Sequence, residues 1–196
     1  MHANEPIDRA DTQTVALAAG TAQEVRTYVS AVRELAAGHE PGVTLSLLLL
    51  ATTQLQVTGA RLGAIVDVVP PDRFEPDPGP DEDPEGVRAT LATLLGPVDA
   101  YVDLTDPVLS VELASGSLSN DVASVLADLT HGLAHYDRGR VLEALWWWQF
   151  SYLSSWGDRT AAMVRVLHSL HAHVRLDADE EVVMEAQLAA LHDPTD

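Results

Sequence analysis

Two stretches of the chain place an apolar or small residue every three and four positions, which lines them along one face of a helix. The first runs from Thr12 to Ala37, with Val15, Ala18, Ala22, Val25, Val29, Val32 and Ala36 on the stripe. Thr12 is placed to cap its start, and Gly38 to end it in a left-handed conformation. The second runs from Val43 to Val66, with Leu45, Leu48, Thr52, Leu55, Gly59, Leu62 and Val66 on the stripe. Extra leucines at Leu47, Leu49 and Leu50 widen that face, so burial on more than one side is expected. The link from Gly38 to Gly42 is turn chemistry. Two helices joined so briefly must lie antiparallel, which predicts a helical hairpin over 12–66.

The composition then breaks. From Val69 to Glu85 the chain reads VPPDRFEPDPGPDEDPE, with prolines at 70, 71, 76, 78, 80 and 84 and seven acids. Proline removes backbone donors and the acids repel one another, so an extended, mobile loop is expected over 69–85. Calcium loops put oxygens at alternate positions around a glycine, but here prolines hold the intervening places.

Helical patterning returns over 86–191. A short helix is expected from Pro84 to Leu95, with Asp83 as its cap and Gly96-Pro97 as its stop. Val98 to Leu104 alternates apolar and polar residues. With no second strand in view it reads as an extended connector, followed by irregular chain from Thr105 to Ser117. Ser119 or Asn120 should cap a helix to Tyr136. A strongly apolar helix follows from Val141 to Trp156, ended by Gly157. Asp158 then caps a helix to about Arg175, and a last short helix opens at Asp177. The fold expected is all-α: one domain over 1–196, a bundle of six or seven helices with an N-terminal antiparallel hairpin and a Pro/Asp-rich loop.

Charge and residue choice exclude much chemistry. The 196 residues carry 30 acids and 11 bases, a formal charge of -19. Every base is an arginine, and there is no cysteine. Lysine Schiff bases, thiol nucleophiles and thiolate metal sites are therefore excluded. Nucleic acid and anionic membranes are disfavoured partners, because binding them means neutralising phosphate. The longest greasy run, Leu45 to Ala51, is interrupted by Ser46 and falls far short of the roughly 20 residues of a membrane span. The N-terminus lacks a basic region followed by an apolar stretch, so a cytoplasmic location is expected.

The helix from Val141 to Trp156 holds Trp146, Trp147 and Trp148 in a row. At about 100° per residue they spread over about 200° of helix surface, more than one stripe takes. Leu145, Trp148, Tyr152 and Trp156 share a face, and Leu142, Trp146 and Leu153 the next. Burial on several sides is one reading. Another leaves an edge at the surface, making Trp146, Trp147 and Phe150 interface candidates. A third is a ligand pocket of Trp148, Tyr152 and Trp156 with Tyr101.

This half of the chain resembles a bacterial family, a domain of unknown function common in actinobacteria. The likeness rests on Tyr101 to Pro107, on Ser117, Leu118, Asp121 and Val122, and on Trp146, Trp148, Phe150, Ser151, Trp156 and Gly157. The resemblance implies a helical fold and supplies no activity. Where the family pattern often has histidines around its Trp-Gly pair, this chain has Ser155 and Arg159. A function built on those histidines does not carry over.

His131 and His135 lie one helical turn apart, with Asp128 a turn before His131, which is metal-ligand spacing. A further ligand would come from His168, His171 or His173. Two histidines on one turn with a wet face are more often simply solvated. A di-iron site needs two Glu-x-x-His pairs, which the sequence lacks. Asp99, Asp103 and Asp106 flank Tyr101 and could line a cleft. No nucleophile elbow, phosphate loop or metalloprotease motif is present. The expectation is a non-catalytic interaction or regulatory domain without a cofactor. It would bind a protein partner or a second copy of itself as a homodimer. The alternatives are a divalent-metal enzyme using His131 and His135, and a small-ligand binder lined by tryptophan.

Overall fold

The structure is a computed structural model and describes residues 6–38, 41–64, 67–70, 74–105, 108–109 and 111–192, with side-chain environments described from Thr12 to Leu176 within those spans. Helix α1 is Pro6–Ala36 and α2 is Pro41–Gly63. Gly38, at φ 121°, sits in the left-handed region that the turn requires. Thr12 lies inside α1, so the helix begins earlier than the sequence pattern suggests.

The two stripes become the seam of the hairpin. Ala18, Ala22, Val25, Val29 and Val32 are buried on α1, and Leu45, Leu48, Thr52, Leu55 and Leu62 on α2. Tyr28 and Leu35 join them from α1. Each leucine so buried contributes about 2–3 kcal/mol of apolar transfer. Val15 and the added leucines behave differently. Val15, Leu47 and Leu50 are exposed and Leu49 only half-buried, so α2 packs on one side and not on several. The stretch 43–63 is long and apolar enough to cross a membrane by length and composition, a longer reach than the run from Leu45 to Ala51 suggests. Here its buried face packs against α1 and α6.

Residues 67–70 and 74–84 carry no helix or strand, as proline requires. Helix α3, Glu85–Leu95, begins where the Asp83 carboxylate accepts from the Glu85 N–H at 3.0 Å. A 3₁₀ turn at Gly96–Val98 ends it.

The chain is mostly helical without being purely so. Ala100–Leu104 (β1) pairs antiparallel with Leu113–Ser117 (β2), with Tyr101 opposite Gly116. The unpartnered connector expected here is one arm of a hairpin. Its second arm, LASGS, has no strand-like alternation to announce it. A Cβ at residue 116 would collide with the Tyr101 ring, so glycine is what lets the two arms lie together.

Helix α4, Leu118–Asp137, is capped by Ser117, two or three residues before the expected cap, through its Oγ and the Asn120 N–H. Asp99 reinforces that end, accepting from the Ser119 N–H and from the hydroxyls of Ser117 and Ser119, each at 2.8 Å. Helix α5, Val141–Ser151, runs through a π-helical turn at Tyr152–Trp156 into α6, Gly157–His192. Gly157 has ordinary helical angles and terminates nothing. The break expected near Arg175 is absent, and the backbone helix continues through it.

Candidate functional site

Helix α4 presents two histidines to one segment of the loop. His135 is wholly buried and His131 is mostly buried. Four alternate positions of the loop, Glu75, Asp77, Gly79 and Asp81, are separated by prolines that keep it extended as it crosses α4. Glu75 thereby reaches both rings. Its Oε1 lies 2.7 Å from His131 Nε2 and 2.8 Å from His135 Nε2. The ligand atoms of Glu75, His131 and His135 all fall within 4.8 Å of one another. Asp81 approaches His131 from the other side, with Oδ1 2.7 Å from Nδ1.

The rings are held by α5. Trp147 lies over His131 with its centroid 4.2 Å away, and its indole N–H donates to the Asp128 carbonyl at 2.8 Å. Trp148 donates to the Leu129 carbonyl at 3.1 Å. Gly132 makes this possible, because a Cβ there would run into the Trp148 indole. The metal-spaced histidines therefore stand on a helix face braced by two consecutive tryptophans.

Charge in the cluster is polarised. Burial alone would push the Glu75 carboxyl up, but bonds from His131 and His135 outweigh it and hold it low. Burial alone would depress the His131 imidazolium, but bonds to Asp81 and Glu75 win and raise it. The two carboxylates beside it thus favour the protonated form of His131. The Nδ1 of His135 is buried without a hydrogen-bond partner. His131 has the outer-sphere carboxylate typical of metal-binding histidines, and His135 does not.

The ligand set differs from the one the sequence suggested. Asp128 is turned away, accepting from the Ser155 hydroxyl at 2.8 Å, and burial raises its carboxyl. His171 faces Ser46, with Nδ1 3.3 Å from its Oγ, while His168 and His173 are exposed. None of them joins the cluster; Glu75 does. No local signal singles Glu75 out among the acids of its loop.

The tryptophan candidates separate by depth. Trp148 and Trp156 are fully buried, and the Trp156 N–H donates to Ser151 Oγ at 3.1 Å. Tyr152 fills the notch at Gly59, Gly63 and Gly157. Trp148 and Trp156 are core, and the half-buried Tyr152 packs on Trp156 with ring centroids 4.8 Å apart. Tyr101 lies apart, on a cleft of about 330 Å³ with Arg159 and Asp121. Its hydroxyl donates to Asp121, which also accepts from Arg159 at 2.9 Å. Asp103 pairs with Arg165 on the same side, and Asp99 is spent on capping α4. Asp106 falls outside the described residues. Trp146 and Trp147 are half-buried. Phe150 is 50% exposed and stacks on Trp146 at 5.4 Å.

Residues 13–173 match the model of a family described as Domain of unknown function (DUF5063). The chain belongs to this family. The DUF5063 match takes in the N-terminal hairpin as well as the C-terminal half on which the sequence resemblance rested. A similar solved structure is that of protein BF1032 from Bacteroides fragilis. The TM-score is 0.56 at 18% identity, over 80% of this chain and 89% of that one. At that identity the likeness speaks for the fold alone. No curated protein matches the chain.

Proposed function

We propose that this DUF5063 domain binds a divalent transition-metal ion through His131 Nε2, His135 Nε2 and a Glu75 oxygen. The carrying observation is the convergence of those three donors, two from one helix and one from the loop. Two imidazoles and a carboxylate suit zinc, ferrous iron or manganese and leave coordination positions open. Zinc ligands at about 2.0–2.1 Å from the ion stand roughly 3.3 Å apart, so Glu75 would withdraw from each imidazole by about half an ångström to share an ion with them. Asp81 supports the reading by fixing His131 with Nε2 toward the site.

Isothermal titration of chelator-treated protein with zinc tests this. One ion per chain is expected, with loss of binding in His131→Ala and in Glu75→Ala. Failure of the wild type to bind zinc, manganese or ferrous iron would overturn it.

A second reading rests on Phe150. With Trp146 stacked on it and Leu153 65% exposed nearby, it forms an apolar edge of the tryptophan helix. That edge suits a protein interface, a second copy included. Light scattering on wild type and Phe150→Ser decides it: an unchanged monomer in both removes the homodimer.

A further inference from the structure

We propose that the metal is a clasp: the ion fastens the proline-rich strap, Phe74 to Pro84, across the bundle and so sets one wall of the neighbouring cleft. This rests on the metal-binding reading above. The strap has no helix or strand, and of its residues only Pro78 is buried. Its other described ties to the bundle are polar. Glu75 meets His131 and His135, Asp81 meets His131, Glu82 pairs with Arg33, and the Asp77 carbonyl accepts from Arg140.

Such a segment is poorly held by itself. The outer ties, Arg33 to Glu82 and Arg140 to Asp77, are exposed to water and contribute little, and the acids of the strap repel one another. One ion shared between Glu75 and two helix-borne imidazoles is a different kind of tie, because it coordinates the strap directly and offsets its charge. The strap also has a task in place. Pro80, Asp81 and Glu82 close one side of a cleft of about 740 Å³ whose other walls are α1 and α4, including Val29, Arg33 and Leu133. His131 belongs both to the metal cluster and to that cleft. Occupancy at the cluster therefore decides whether the cleft keeps its third wall.

Hydrogen exchange by mass spectrometry on the full chain, with and without zinc, reads this directly. The amides of Phe74, Glu75, Asp77, Gly79, Asp81, Glu82 and Asp83 are available, since the intervening prolines carry none. At zinc ten times its Kd, linkage predicts about elevenfold slower exchange in the strap. Amides of β1 and β2 should not change. In Glu75→Gln the slowing should vanish, whereas Arg33→Gln, which cuts only the Glu82 ion pair, should keep it. Zinc binding by titration with unchanged strap exchange would overturn the clasp and leave the metal site standing. Persistent slowing in Glu75→Gln would overturn it as well. No zinc binding would overturn both.

Discussion

The Trp147 indole covers the His131 imidazole, ring centre to ring centre at 4.2 Å, while its N–H is tied to the Asp128 carbonyl. One side chain thus positions the histidine and grips the helix that carries it. Trp147→Ala should cost about 2–3 kcal/mol, below the 3–5 of a fully buried tryptophan. It should also weaken zinc binding. Trp147→Phe should keep the stack and lose about 1 kcal/mol with the hydrogen bond. Urea unfolding of the three proteins checks the order; equal midpoints would show that the stack contributes nothing.

Gly132 is the contact point of α4 and α5. Gly132→Ala puts a methyl into the Trp148 indole, and overpacking of this kind costs about 1–3 kcal/mol. The better helix propensity of alanine recovers only about 1 kcal/mol. A net loss of thermal stability is expected. A gain would mean that the helices can part freely here.

Asp81 touches His131 and is not among the three proposed donors. Removing such an outer partner typically weakens a metal site about 10–100-fold without abolishing it. Asp81→Ala should therefore still bind one zinc, more weakly, in competition titrations against a chelator. Unaltered affinity would show that His131 needs no orienting partner.

Stability of the metal-free protein should peak in mild acid. The His131 imidazole is raised, so its contribution is complete below the ordinary histidine range and is lost as pH climbs through the raised value. The Glu75 carboxyl is lowered, so its contribution is present above the ordinary carboxylate range and is lost as pH falls through the lowered value. Both act together between about pH 5 and 6. Denaturation midpoints across pH should show that maximum in the wild type and lose it in His131→Gln. Zinc should erase it too, by displacing the Nε2 protons.

Asp128 has the opposite sign. Burial raises its carboxyl, so at neutral pH folding keeps a charge in an unfavourable place. Asp128→Asn should raise the Tm at pH 7, and the gain should shrink as pH falls and the wild-type carboxyl takes up its proton. A Tm that drops at pH 7 would show that the bond from Ser155 outweighs burial.

The two hairpin helices were legible because one-sided burial imposes a period, and Ala18 through Val32 and Leu45 through Leu62 obey it. Leu47 and Leu50 misled because a leucine on the outer face costs little and obeys no rule. The β-hairpin was hidden because Leu113–Ser117 owes its pairing to Gly116 and the Tyr101 ring, a contact between residues far apart in sequence. Gly157 read as a stop, yet it stays helical, and its missing side chain is what leaves room for the Tyr152 ring. Half the candidate site was visible in the spacing of His131 and His135. Glu75 was not, since only the path of the strap selects it from its acidic neighbours.

Gln149 gives the strap a mechanical root. Wholly within the core, its amide donates to the Leu62 carbonyl and accepts from the Val68 N–H, each at 2.9 Å. The end of α2 and the start of the proline-rich segment are thus bolted to one side chain of α5. The helix that carries Trp147 therefore also holds the chain just ahead of the proline-rich segment. One helix thus covers His131, which the strap meets, and fastens the chain where it leaves α2 for the prolines.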